Sequence, residues 1–212
     1  MQVDEKKLQT LEIISAVVIG VTTIFGALAA YFSALWGGNS MTGFNKAIMT
    51  MSESSTSYLD ALNDYTQFTL EDFKDDMIYM QWKKAEKTGD PDADYLFSKL
   101  SEALQKDLQA DTDQGELDKA YEERIGNIMQ TMESSDSNYG IAQMQMEEAQ
   151  KANEYGDGFT FATVLFTIVL FFAGMCSLAK SWNLKLAYIG AAGLMFIYSI
   201  IKFVTIPFPP LS

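Results

Sequence analysis

The chain gathers its apolar residues into three blocks and sets nearly all of its charges between the first and the second. Residues 11–36, LEIISAVVIGVTTIFGALAAYFSALW, contain one charged side chain, Glu12, at their edge. As a helix, a run of that length covers the ~30 Å of bilayer hydrocarbon, so it predicts a first transmembrane helix. Residues 159–179 and 184–206 predict a second and a third, and the link at 180–183 is short enough to force a tight membrane hairpin. Residues 1–10 and 207–212 remain as tails. Lys6 and Lys7 ahead of the first block, with Ala27, Leu28 and Ala29 inside it, imitate a signal peptide. The apolar run is too long for one, and the expectation is an uncleaved span.

Within the first span Ala16, Gly20, Thr23, Ala27, Ala30 and Ala34 recur at steps of four and three, a seam of small residues on an otherwise bulky helix. The same count continues through Gly37 and Met41 to Phe44, Ile48, Met51, Ser55, Tyr58, Leu62 and Tyr65. Small side chains favour close helix contact in lipid, and large apolar ones favour burial in water, so the switch in size fits a helix leaving the membrane. This predicts a coiled-coil-like helix of about 50 residues, ~75 Å long, that self-associates along one face. The alternative is a surface loop at residues 37–43, GGNSMTG, with two separate helices in coincident phase. The oligomerisation seam comprises Ala16, Gly20, Thr23, Ala27, Ala30, Ala34, Phe44, Ile48, Met51, Tyr58 and Leu62, packing within the chain or between copies.

Beyond it, Phe73, Met77 and Met80 keep helical spacing as far as Gly89, and Asp90 before Pro91 predicts the cap of a second helix with Leu96, Leu100, Leu104 and Leu108 on one face. A break at 111–115 precedes a third helix marked by Leu117, Tyr121, Ile125, Ile128 and Met132. A further break at 134–140 precedes a fourth, and Gly156, Asp157 and Gly158 predict a hinge in which Asp157 caps the second span. Strand signals are nearly absent. The expected fold is an all-α membrane protein whose residues 37–158 form an acidic helical hairpin or bundle inserted between the first and second spans.

Charge sharpens the picture. Of 28 acidic residues, 25 fall between residues 37 and 158, beside 10 of the 15 basic ones, so that segment carries about −15 of charge. Such a surface is well solvated and repels phosphate, which sets nucleic acid aside as a partner. Lys6, Lys7, Lys180 and Lys185 lie at one end of the spans and mark that end as cytoplasmic, which places the acidic segment outside. Residues 13–36 and 159–179 contain no ionisable acid or base, an argument against a proton relay or ion-coupled transport.

With no histidine and a single cysteine, Cys176, the chain lacks imidazole chemistry, an internal disulfide and a thiolate metal site. Asp111, Asp113 and Glu122 stand at positions one, three and twelve of a calcium-loop count, but Gly115 and Glu116 depart from the pattern, and Asp90, Asp92 and Asp94 read better as a capped turn. Paired acids such as Asp75 with Asp76 and Glu122 with Glu123 point in different directions on a helix. No phosphate loop, nucleophile elbow or triad can be assembled, so the expectation is neither an enzyme nor a cofactor binder.

Tyr155, Gly156 and Asp157, followed by ATVLFTIVLFFAG at 162–174, resemble the matching segment of uncharacterised prokaryotic three-helix membrane proteins, whose layout is similar throughout. The resemblance implies a prokaryotic plasma-membrane location and no assigned activity. Together these readings predict a homo-oligomeric membrane scaffold or accessory subunit that contacts membrane lipids and an envelope protein partner. The alternatives are a homo-oligomeric passive cation pore with an acidic vestibule, and a calcium-responsive sensor.

Overall fold

The computed structural model describes residues 5–110 and 114–210. Among them there are helices and no strands: α1 (Glu5–Thr88), α2 (Ala93–Phe97), α3 (Glu102–Ala110), α4 (Gln114–Leu178) and α5 (Trp182–Thr205). α1, α4 and α5 are each long and apolar enough to cross a membrane.

α1 is one helix, and the loop weighed for residues 37–43 does not form. Three glycines there weaken helix propensity by ~1 kcal/mol each, yet packing overrides that bias. An added Cβ at Gly43 would stand 2.9 Å from the Cβ of Ala149, so the missing side chain is what admits α4. α4 likewise runs unbroken through 134–140 and 156–158, which corrects both the expected break and the expected hinge. Ser135 is buried and its carbonyl accepts from Ser54 Oγ at 2.5 Å. Gly156 lies against Ser33 and Trp36, and Gly158 against Ile206. Asp157 caps nothing; it is an interior helix residue that accepts from Asn153 Nδ2 at 3.2 Å.

The chain divides into two compact units. The first contains α1 as far as Ala47, α4 from Met144, and α5. Here α1 and α4 run antiparallel, as the contacts of Ser15 with Ala173 and of Gly43 with Ala149 require. Ala29, Phe159, Ala162, Phe166 and Phe203 form one core cluster, and Val169, Ala173 and Ala192 another. Ser181 caps α5 by accepting from Leu184 N, which ends the link expected at 180–183 two residues early. After α5 the chain folds back: Trp36 Nε1 donates to Pro207 O at 3.0 Å, and Phe208 packs on Phe32, Phe159 and Phe203.

The second unit, Ile48–Gln143, contains the rest of α1, α2, α3 and the start of α4. Phe68 stacks near Tyr121 at 4.7 Å, and the Arg124 guanidinium lies over the Phe68 ring and 3.5 Å from Glu71. α1 ends at Thr88, and Gly89 after it has a φ of 66°, which is left-handed and suits glycine. The single helix expected after Pro91 is two short ones, because Asp90 Oδ1 accepts from Asp92 N and the first begins only at Ala93. Asp75 Oδ1 then accepts from Ser101 N at 2.9 Å, holding the break ahead of α3, while Leu100 is buried and Phe97 lies on Trp82.

Candidate functional site

The predicted seam and the packed seam are different faces of α1. Ala16, Gly20, Thr23, Ala27, Ala30 and Ala34 are all exposed, and the face that meets α4 is carried one residue earlier by Ser15, Thr22 and Ala29. Ser15 Oγ donates to Ala173 O at 2.6 Å, a bond that replaces water where an apolar neighbour offers none. Thr22 is fully buried, and its Oγ1 has no partner among the described residues. Phe44 and Met51 are half-buried, whereas Ile48, Tyr58 and Leu62 are exposed.

In the first unit Lys185 Nζ lies 2.5 Å from Glu12 Oε1, with the lysine side chain 5% exposed and the glutamate 53%. From the sequence Lys185 marks topology alone. Its distance of 173 residues from Glu12 left no spacing signal, although two opposite charges at the edges of apolar blocks were the clue. Cys176 is buried nearby as a free thiol.

In the second unit the antiparallel pair of α1 and α4 has two unlike grooves. One, of about 380 Å³, is lined by Ser54, Ser55, Tyr58, Leu59, Ser135, Asp136 and Tyr139. The other, of about 270 Å³, is lined by Ser57, Asp60, Ala61, Asp64, Asn127, Ile128 and Thr131. Helical geometry puts residues 55, 58 and 62 on one flank of the buried row Ser54, Ala61 and Phe68, and residues 57, 60 and 64 on the other. A third cleft, of about 550 Å³, gathers Glu71, Asp72, Asp75, Asp76 and Glu102 around Phe68, Tyr121 and Arg124.

Of the carboxylates singled out in the sequence, Asp111 and Asp113 lie outside the described residues, and Glu122 is an exposed residue of α4. Among the described residues no three Asp, Glu or Cys side chains converge as metal ligands, and Asp90 is turned to the backbone of Asp92.

Comparisons with protein-family models, with curated proteins and with solved structures each return no match. The resemblance carried by residues 155–157 and 162–174 finds no support there.

Proposed function

We propose that the protein is a homo-oligomeric membrane scaffold or accessory subunit whose residues 37–158 present an acidic helical surface outside the membrane. One observation carries this reading. The span of α1 uses one face against α4 and leaves a second, composed of Ala16, Gly20, Thr23, Ala27, Ala30 and Ala34, uncovered. Against lipid, small residues give up the contact area that leucine or isoleucine would supply, and elsewhere the same helix exposes Ile13, Ile14, Val17, Ile24 and Leu28. Small residues in a row suit a second helix at close range. A pore lacks such an observation, since Phe25, Phe159, Phe166 and Phe203 fill the space among the three helices.

Native mass spectrometry of the full chain in lipid discs tests the reading. The expected result is a defined multiple of the 23.6 kDa protomer that Gly20→Leu with Ala27→Leu lowers. A single copy, or a multiple that the double variant leaves intact, would overturn it.

A further inference from the structure

We infer that residues 49–80 of α1 pair with the same residues of a second copy as a parallel two-stranded coiled coil. The inference rests on the homo-oligomeric reading and adds where the aqueous parts touch.

Within the Ile48–Gln143 unit one row of α1 centres the internal packing. Ser54, Ala61 and Phe68 are its buried members. One and two heptads further on, Asp75 accepts from Ser101 N ahead of α3, and Trp82 lies against Phe97 of α2. The rows on the opposite side of the helix are left uncovered. Met49, Thr56, Asn63, Leu70 and Met77 form one, Ser52, Leu59, Thr66, Phe73 and Met80 the next, and every one is exposed. Together they alternate at steps of three and four without a slip for ~47 Å, as the a and d positions of a heptad repeat do. None is ionisable. Met49, Leu59, Leu70, Phe73 and Met80 are each between 61% and 66% exposed, a large apolar residue in nearly every turn toward the far end.

The order of residues along the seam selects the occupant. Two copies inserted the same way leave the membrane at the same residue, so their α1 helices lie parallel with like residues level. Each layer then meets itself. Leu70, Phe73, Met77 and Met80 meet apolar partners, and Asn63 meets an amide that can both donate and accept. A helix of any other sequence would have to repeat that order of polar and apolar layers. An Asn at an a position is also the residue that fixes register and strand number in parallel pairs. Thr56 and Thr66 already donate to Ser52 O and Leu62 O of their own helix, so a partner leaves neither hydroxyl unmet.

The flanking positions agree. In a parallel pair each g residue faces the e residue of the partner's next heptad, which sets Ser55 against Asp60, Leu62 against Gln67, Thr69 against Lys74 and Asp76 against Gln81. No acid faces an acid there, although each copy carries a net charge of −13. Confinement to one membrane raises the effective concentration, which offsets the weaker polar layers. The small-residue row of the span falls on the c and g positions of the same count, so this contact is additional to the one proposed there.

The test is cross-linking of the full-length protein in membrane vesicles with a short bismaleimide, in a Cys176→Ala background. Ser52→Cys and Met80→Cys, toward the two ends of the seam, are each expected to shift most of the chain to a covalent dimer. Ser57→Cys, beside the buried row, is expected to stay monomeric on the gel. Cross-linking through Ser57→Cys, or failure at either end of the seam, in a chain whose native mass is still oligomeric would overturn this coiled coil alone. A monomeric native mass would overturn the coiled coil and the homo-oligomeric reading together.

Discussion

At Gly43 the backbone of α4 comes so close that one methyl group is too many. The obstructing atoms are the Cβ, Cα and N of Ala149, none of which can swing aside. Gly43→Ala is therefore expected to destabilise the helix pair, with ~1–3 kcal/mol of overpacking outweighing the ~1 kcal/mol that alanine adds in helix propensity. Gly38→Ala, where nothing lies within 4 Å, is expected to stabilise. Paired thermal melts in detergent check both, and equal shifts would sink the explanation. The sequence could not rank these glycines, since only the partner backbone distinguishes them. Nor could it choose the face of α1 that meets α4. Ser15 beside Ala16, Thr22 beside Thr23 and Ala29 beside Ala30 put small residues in two adjacent phases, and both satisfy a seven-residue repeat.

At the scale of elements, the three membrane-length helices were legible because an uncharged run of that length leaves few other folds open. The breaks were less so. Serines and glycines at 134–140 and 156–158 look like punctuation, but in α4 Ser135 and Gly156 are small surfaces on which α1 packs, and Gly158 is one on which Ile206 packs. α5 is held to α1 by Lys185 and Glu12. Because the lysine is buried and the glutamate half-exposed, Glu12→Gln should cost more than the ~0–1 kcal/mol of an exposed pair and less than the ~3–5 kcal/mol of a fully buried one. Exchanging the two residues, Glu12→Lys with Lys185→Glu, should recover much of the loss. Melting temperatures of the single and double variants measure this, and an additive double variant would deny the pairing.

For the whole molecule, the sequence separates its charges more sharply than its helices do. No acid follows Asp157, while Lys180 is exposed between α4 and α5. If residues 37–158 face outward, a thiol placed at Ser57 in intact cells will react with a membrane-impermeant maleimide, and one placed at Asn183 will react only after lysis. The reverse pattern would invert the proposed topology.

The pairing of α1 with α4 has one more consequence. Ser40, Ala47, Ser54 and Ala61 recur every seventh residue on one helix, and Ser135, Ala142 and Ala149 do so on the other. A slide of seven residues, ~10 Å along the axis, would again seat a small side chain against a small one. Along these residues alone the strip behaves as a ratchet with nearly equal teeth, but the same slide would bring Trp36 or Thr50 to Ala149 in place of Gly43, where no Cβ fits. Register is fixed there and at the bulky stops, Phe68 against Tyr121 and Phe159 among Phe32, Phe203 and Phe208. Without such stops one native alignment would give way to several of similar energy, a loss of uniqueness before a loss of helix.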